Sequence, residues 1–347
     1  MKKNLLLLFQ LIIISIQINA QEESAVISGH VYDLQTTIPL EGVNIFISGT
    51  MIGTSTNKDG FFEIKNVPVG IHELVVSIIG FEPETERVKV SENKRLELIY
   101  KLKEKPYILD SISVVSKRPE EWFENLEEFK KAFLGKNEFA DESTIENEVE
   151  INLEVDNQGY LTAQCDNPII VINRALGYKI NIVLQNFRYK EDEGEINYTI
   201  KLLFTDYIDS SRYTPEEIRE NRHDAYIGSP QHFLKCLVNK KLSEDNYSIS
   251  FQSRPYSKYY YKNTIKLEDF ITDLGNGYYK LYFERYLKVS HDYGKQVSWI
   301  KLIQPFLIVD PQGYPQQVPS FAMAGEWAKF GVSKLLPRYV DFEGADK

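Results

Sequence analysis

The stretch PLEGVNIFISGTMIGTSTNKDGFFEI, residues 39–64, decides the fold of the first part of the chain. Its first apolar run alternates, so Val43, Ile45 and Ile47 fall on one face of a strand. Residues 57–60, NKDG, are typical of a tight turn, because glycine tolerates positive φ and the Asp side chain bonds its own backbone. The stretch therefore predicts strands that are joined by tight turns and share one apolar face.

Working outward from this stretch, the same pattern continues from Val26 to Leu102. Pro68 and Gly70 mark another turn, and the run 72–79 is apolar on both faces, as in a central strand. The run 95–102 alternates with one charged face and resembles a strand at the surface. Short strands at regular spacing predict an antiparallel sandwich.

A larger set of turn and core residues lies in the order found in one known family. The matching residues are Gly29, Val31, Asp33, Pro39–Asn44, Gly49, Thr50, Gly53, Thr54, Asp59, Gly60, Phe62, Pro68, Gly70, Gly80 and Phe81. This part of the chain resembles the carboxypeptidase regulatory-like, transthyretin-like domain that abounds in extracytoplasmic proteins of Bacteroidetes. The resemblance covers the first quarter of the chain and implies a transthyretin/Ig-like β-sandwich with no peptidase activity of its own.

The same resemblance raises the question of whether the protein is a membrane transporter. In many relatives the module precedes the plug and barrel of a TonB-dependent outer-membrane transporter, and residues 109–115, LDSISVV, resemble the linker found there. The remainder of this chain lacks the long series of amphipathic strands that a large barrel needs. A transporter is therefore excluded, whereas an accessory role beside one stays open.

Residues 1–20 have the features of an export signal. Lys2 and Lys3 form a charged start, Leu5–Ile14 is apolar apart from Gln10, and Ala20 is a small residue at the predicted cleavage point. The apolar run is shorter than the ~20 residues of a spanning helix, although an uncleaved anchor is the alternative. The residue directly after Ala20 is Gln21 and not a cysteine, so no lipid anchor is expected.

Charge and hydropathy limit the partners and the location. The formal net charge is −10, and cleavage of the signal removes two lysines and no acids. Such a chain repels phosphate backbones, so nucleic acid is not an expected partner. No later apolar stretch approaches spanning length. We expect an exported protein in the periplasm, associated with the outer membrane, or outside the cell, with no transmembrane span.

The chain is predicted to contain four parts: the signal peptide 1–20, the sandwich 21–104, a linker 105–120, and a larger antiparallel β-rich, α+β domain 121–347. The second domain should begin with a helix over 120–134 that ends at Gly135 and packs one apolar stripe on a sheet. That stripe consists of Trp122, Phe123, Leu126, Phe129 and Phe133.

Strands and a short helical insert should follow this first helix. The strands 149–155, 160–165, 169–173, 178–189 and 195–207 predict an antiparallel meander, because they are closely linked in sequence. Thr214-Pro215 and Ser229-Pro230 open two helices of the insert, the second extending to Val238. Further strands are predicted over 247–252, 278–289 and 297–303. This half resembles the region that accompanies the same module in other Bacteroidetes proteins, and that resemblance implies no activity.

The sequence contains little catalytic or metal-binding signal. No His-Glu-x-x-His helix, Cys-x-x-Cys pair or phosphate-binding glycine loop occurs, so neither a metal nor a cofactor is expected. Cys165 and Cys236 are compatible with one disulfide or with two buried free thiols.

Tyrosines give the most distinctive surface signal. Tyr278, Tyr282 and Tyr286 fall on one face of the predicted strand 278–289, and Tyr259 and Tyr260 lie nearby in sequence. Tyrosine side chains can stack on sugar rings or form a protein interface. The alternative is an ordinary sheet surface, because tyrosine favours strands.

A second candidate site contains charged and imidazole groups in the helical insert. Arg222, His223 and His232, with Asp224 beside them, could supply an anion-binding arginine and a general base. The alternative is a polar cluster that ties the insert to the sheet.

The leading hypothesis is a non-catalytic binding or scaffold protein of the bacterial envelope that contacts a protein or a glycan. The rival hypothesis is a hydrolase acting on peptides or glycans through His223, Asp224 and His232, and an accessory of a TonB-dependent uptake system is a third.

Overall fold

The computed structural model describes residues 24–92, 94–105, 118–191, 195–257, 266–275, 277–316 and 321–342. The protein is mainly β, as predicted. The predicted signal peptide and most of the predicted linker, including residues 109–115, lie outside the described residues. Within those ranges, none of the helices has the length and apolarity needed to cross a bilayer.

A two-layer β-sandwich forms the first part of the molecule. One sheet has the strand order β4-β1-β7 and the other β3-β2-β5-β6, so the strand predicted as central, β5, has a partner on each side. Phe62, Leu74 and Leu102 belong to the core between the two sheets. The strands are β1 (Ser24–Asp33), β2 (Asn44–Ile47), β3 (Gly53–Ser55), β4 (Phe61–Pro68), β5 (Gly70–Ser77), β6 (Glu84–Val90) and β7 (Arg95–Leu102).

One pairing in the sandwich differs from the predicted antiparallel arrangement. β1 and β7 run parallel, in a register from Val26 opposite Arg95 to Asp33 opposite Leu102. Parallel strands need a long crossover, and here the intervening five strands supply it. The close approach requires glycine at position 29, since a Cβ there would lie 1.9 Å from the Leu98 carbonyl oxygen.

The tight turn at 57–60 is present, although its side-chain acceptor differs from the one predicted. The Asn57 side-chain oxygen accepts the backbone N–H groups of Asp59 and Phe61, each at 3.0 Å. Gly60 has φ +70°. The asparagine therefore organises this turn, and the glycine supplies the backbone conformation that other residues rarely adopt.

The second region begins with α1 (Glu120–Leu134), as predicted. Trp122, Leu126, Phe129 and Phe133 are buried, whereas Phe123 is 47% exposed and does not belong to the buried stripe. The rings of Phe129 and Phe133 pack on the ring of a residue in the following sheet, Phe187. The helix ends at Gly135, which has φ +100°.

A six-stranded sheet lies against α1, but the predicted meander is wrong. The long strand β12 pairs with β11 through one half and with β10 through the other, so β10 and β11 pair with β12 rather than with each other. β13 pairs with β12 along its length. The strands are β8 (Ser143–Ile145), β9 (Asn152–Val155), β10 (Leu161–Gln164), β11 (Ile169–Asn173), β12 (Tyr178–Lys190) and β13 (Glu195–Asp206).

The helical insert has the predicted bounds and caps. α3 (Pro215–Tyr226) begins with a capping box in which the Thr214 and Glu217 side chains bond each other's backbone N–H. α4 (Pro230–Val238) begins at the Ser229 cap. A one-turn helix, α2 (Glu138–Asp141), lies earlier in the chain.

The predicted strand 278–289 is wrong, because the chain leaves one sheet and enters another within it. β16 (Tyr278–Leu281) pairs with β15 (Ile271–Gly275) and β19 (Leu307–Val309). β17 (Tyr286–His291) pairs with β14 (Ser248–Gln252) and β18 (Gln296–Leu302). β20 (Phe321–Gly325) completes the second of these sheets.

The described residues after 118 contain two large apolar clusters. One joins α1 to the six-stranded sheet, and the other joins α4 to the last two sheets. Segments near the end of the chain connect the two clusters, since the Asn137 amide donates to the Phe330 carbonyl at 2.8 Å and the Asn173 amide to the Ser333 carbonyl at 2.7 Å. The predicted domain boundaries stay predictions.

Candidate functional site

The candidate tyrosines do not form one surface in the structure. The Tyr278 hydroxyl lies beside Gly70 at the start of β5, and a Cβ atom added to Gly70 would be 3.2 Å from that hydroxyl. Burial raises the pKa of Tyr278. Tyr282 is 48% exposed, and its hydroxyl donates to a Glu284 oxygen at 2.6 Å. Tyr286 lies in a different sheet from Tyr278.

The two remaining tyrosines of this hypothesis, Tyr259 and Tyr260, lie outside the described residues. The shared face predicted for Tyr278, Tyr282 and Tyr286 depended on one continuous strand. Because the strand breaks after Leu281, that shared face does not exist.

Arg222 connects the helical insert to the six-stranded sheet. Its guanidinium donates to the Leu176 carbonyl at 2.8 Å and to an Asp206 carboxylate oxygen at 3.0 Å, and it lies 3.9 Å from the centre of the Tyr178 ring. These contacts correspond to the polar cluster that was the alternative for this segment. The His223 ring lies 3.7 Å from the carboxylate of Asp224.

His232 lies in a different setting, a buried polar cluster on α4. Its Nδ1 accepts the Gly228 N–H at 3.1 Å and lies 3.0 Å from the Tyr247 hydroxyl. Its Nε2 is 3.7 Å from an Asp245 oxygen, and the Cys236 thiol donates to the other Asp245 oxygen at 3.3 Å. The sequence interpretation missed Cys236, Asp245 and Tyr247. The only signal was the four-residue spacing of His232 and Cys236, which places both on one face of a helix.

The two cysteines are not joined by a disulfide. Cys165 is half-buried and Cys236 is buried. Burial raises the pKa of the Cys165 thiol to about 12.

The junction between the sandwich and the second region is built from backbone hydrogen bonds. The Gly49 N–H donates to the Leu202 carbonyl at 2.8 Å, and the Phe204 N–H donates to the Thr50 carbonyl at 2.9 Å. The Arg338 N–H donates to the Gly49 carbonyl at 2.8 Å. The loop between β2 and β3 is therefore hydrogen-bonded to the edge strand β13 and to a segment near the end of the chain.

Apolar contacts and one ion pair extend this junction. Phe46 and Val75, on the outer face of the β3-β2-β5-β6 sheet, pack with Val183 of β12. The Lys201 ammonium lies 2.6 Å from the Glu73 carboxylate, and its side chain is only 6% exposed. A cleft of about 240 Å³ opens beside this contact, lined by Asn44, Phe46, Ser77, Pro168, Lys179, Asn181, Val183 and Leu203.

A second part of the junction involves His72 and the segment near the end of the chain. The His72 Nε2 donates to the Pro68 carbonyl at 2.6 Å, and its Nδ1 lies 3.5 Å from the Tyr339 hydroxyl. Burial lowers the pKa of His72, and the nearby Arg338 guanidinium lowers it further. Burial also raises the pKa of Asp310, whereas the hydrogen bond from the backbone N–H of Tyr314 lowers it.

The outer face of the β4-β1-β7 sheet is accessible in the described part of the chain. His30 of β1 is paired with Phe61 on one side and with Ile99 on the other, so the three side chains form one row. Ile99 is 71% exposed, and the rings of His30 and Phe61 lie 5.3 Å apart. Tyr32, two residues further along β1, lies on the same face, with its ring 6.0 Å from that of His30. We call these four residues the open face.

The fold and the junction define the chain as a β-sandwich module joined firmly to a larger β-rich region. Residues 27–114 match the model of the CarboxypepD_reg-like domain, so the sandwich is a CarboxypepD_reg-like domain, as the resemblance implied. Comparison with curated proteins finds no match.

The solved structures that match the chain cover small parts of it. A cohesin-X-dockerin complex from Acetivibrio cellulolyticus is 26% identical over 21% of this chain and 51% of its own, with a TM-score of 0.19. The major pilin subunit of Bacillus cereus is 13% identical over 24% of this chain and 30% of its own, with a TM-score of 0.21.

The 5-hydroxyisourate hydrolase of Klebsiella pneumoniae is 19% identical over 24% of this chain and 92% of its own, with a TM-score of 0.20. The match with the cohesin-X-dockerin complex spans about half of that solved chain, and the match with the pilin spans less than a third. Likenesses at this level assign no function to the chain.

Proposed function

We propose that the chain is an exported, non-catalytic adaptor of the bacterial cell envelope that binds a protein partner through the open face of its sandwich. The observation that carries this proposal is the contrast between the two outer faces of the sandwich. One face is hydrogen-bonded and packed against the second region, whereas Ile99 on the other is 71% exposed.

The composition of the open face favours a protein partner over a glycan. Aromatic and aliphatic groups occupy its centre, and the ion pair between Arg95 and Glu63, at 2.6 Å, lies at its side. Interfaces between proteins have this arrangement of an apolar centre with a polar rim. Removing Ile99 and Phe61 from water would supply binding free energy at ~25 cal/mol per Å² of apolar surface.

The hydrolase hypothesis has less support from the described residues. Cys236 is the thiol beside His232, but it is 4% exposed and donates its proton to Asp245. A carboxylate that accepts the thiol proton stabilises the thiol over the reactive thiolate. His223 is paired with Asp224 on the surface of α3 rather than with a nucleophile.

The proposal is tested by partner capture with two matched variants. Ile99→Glu places a charge on the open face, and Ile79→Glu places the same charge on an isoleucine that is 58% exposed elsewhere in the sandwich. The native chain and Ile79→Glu should capture the same envelope protein, while Ile99→Glu should lose it.

Each alternative gives a different result in the same assay. Equal capture by both variants would overturn the assignment of the open face. Retention on a glycan array, with no captured protein, would indicate a glycan partner. Turnover in peptide or glycan libraries that is lost in His223→Gln and His232→Gln would show an enzyme and would contradict the proposal.

A further inference from the structure

Helix α4 and the loop after it bring together an imidazole, a thiol and a carboxylate. His232 and Cys236 are four residues apart and lie one above the other on the helix. The loop turns back after α4, since the Lys241 N–H donates to the Cys236 carbonyl at 2.8 Å, and this places Asp245 over both side chains. His232 is 3% exposed and Cys236 4%, while the side chain of Asp245 is 35% exposed.

The distances in this cluster approach those of a tetrahedral metal site. Ligand bonds of about 2.0–2.3 Å at tetrahedral angles place the ligand atoms about 3.3–3.6 Å apart. Here the Cys236 Sγ and an Asp245 oxygen are 3.3 Å apart, and the His232 Nε2 and the other oxygen are 3.7 Å apart. All three ligand atoms lie within 4.8 Å of one another. A bound cation would require the side chains to rotate, so that ligand atoms now up to 4.8 Å apart come to about 3.3–3.6 Å.

We propose that His232, Cys236 and Asp245 bind a divalent cation of the zinc class, with water in the fourth position. Imidazole, thiolate and carboxylate together are ligands that Zn²⁺ accepts, whereas Mg²⁺ and Ca²⁺ prefer oxygen ligands alone. The site stabilises the loop 239–247 against α4. This proposal differs from the sequence-based expectation that no metal is bound, because that expectation rested only on motifs with closely spaced ligands.

The hydrogen bonds around His232 determine where the proton of its ring goes when a cation binds. Without metal, Nδ1 of His232 accepts the Gly228 N–H, so the ring proton is on Nε2 and points toward Asp245. Metal binding displaces the Nε2 proton to Nδ1, which then donates to the Tyr247 hydroxyl oxygen at 3.0 Å. The Gly228 N–H also donates to that oxygen. The thiol proton is released to solvent, so one proton leaves per cation bound.

The experiment uses the purified chain, stripped with a chelator and then titrated with Zn²⁺ or Co²⁺. We expect one equivalent to bind, with a thiolate-to-cobalt charge-transfer band for Co²⁺ and a higher melting temperature with Zn²⁺. Cys236→Ser should abolish the band, and Asp245→Asn should weaken binding. Tyr247→Phe removes only the second-sphere acceptor and should lower the affinity about 10–100-fold.

Cys165→Ser is the matched control, because it removes the other cysteine of the chain. It should keep the band, the stoichiometry and the metal-dependent melting shift. The proposal is overturned if the native chain binds neither cation, or if Cys236→Ser binds as the native chain does. Should Cys236→Ser fail to fold, Asp245→Asn decides, since unchanged affinity in that variant would also overturn the proposal.

Discussion

The two outer faces of the sandwich carry similar residues but differ in what covers them. Phe46 and Val75 on one face are 3% and 0% exposed against the second region. Phe61 and Ile99 on the other face are also apolar, and Ile99 is 71% exposed. An outward-facing aromatic residue therefore does not reveal which sheet is covered. Backbone hydrogen bonds of the loop around Gly49 join the covered sheet to β13.

The largest effect should follow from Phe46→Ala, which leaves a cavity in the covered face. Full burial of this ring predicts a loss of about 3–5 kcal/mol in the free energy of unfolding. Phe61→Ala, on the open face, should cost less than half as much because that ring is only half-buried. Urea unfolding of both variants measures the difference, and equal losses would show that the two faces are equally buried.

A smaller effect should follow from breaking the ion pair at the junction. Glu73→Gln leaves the Lys201 ammonium, 6% exposed, without its carboxylate. Removing one partner of a buried pair is strongly destabilising, and the 30% exposure of the Glu73 side chain lowers the expected loss to about 2 kcal/mol. Lys201→Met should cost less, because the carboxylate left behind can be hydrated. The reverse order in chemical denaturation would contradict this description.

The pH dependence of stability should depend on His72. Burial lowers the pKa of His72, so below about pH 6.5 the unfolded chain binds a proton that the folded chain does not. Stability contributed by the neutral ring is thus present above that pH and is lost as the pH falls, by at most about 1.4 kcal/mol per pH unit. Arg338 and Tyr339 contribute a charge and a hydroxyl beside the His72 ring.

Melting the native chain and two variants between pH 7 and pH 5 tests this expectation. His72→Gln keeps a donor for the Pro68 carbonyl and should flatten the dependence. His30→Gln, on the open face, is the matched control for a histidine-to-glutamine change. A native slope that survives in His72→Gln would assign the effect to other groups.

The smallest effect on stability should come from Ile99→Glu. An exposed substitution of this kind should change the free energy of unfolding by no more than about 0.5 kcal/mol. The same variant should lose the captured partner, so binding and stability separate at this position. A large loss of stability in thermal melts would mean that Ile99 is covered in the folded protein.

The sandwich could be predicted from sequence because its turns are local. Asn57 and Gly60 determine one tight turn within four residues, and the alternation of β5 gives its two buried faces directly. The parallel pairing of β1 with β7 was missed, since it joins residues about seventy positions apart. Gly29 was part of the family pattern, but its requirement for close approach to Leu98 depends on that pairing.

The candidate site was harder to predict, because alternation does not show where a strand changes sheets. Residues 278–289 alternate except at Arg285, yet the chain turns after Leu281 into a second sheet, and this separates Tyr278 from Tyr286. The junction joins Gly49 to Leu202 and His72 to Tyr339, contacts between distant segments that no local pattern encodes. The cluster around His232 likewise depends on the fold of the loop that carries Asp245.

A photo-crosslinking comparison in intact cells tests the adaptor proposal most directly. A photoreactive phenylalanine replaces Ile99 in one version of the chain and Ile79 in another, and each is irradiated in the cells that produce it. The account predicts a covalent adduct with one envelope protein from position 99 and none from position 79. Adducts from neither position, or equal adducts from both, would contradict the claim that the open face holds a protein partner.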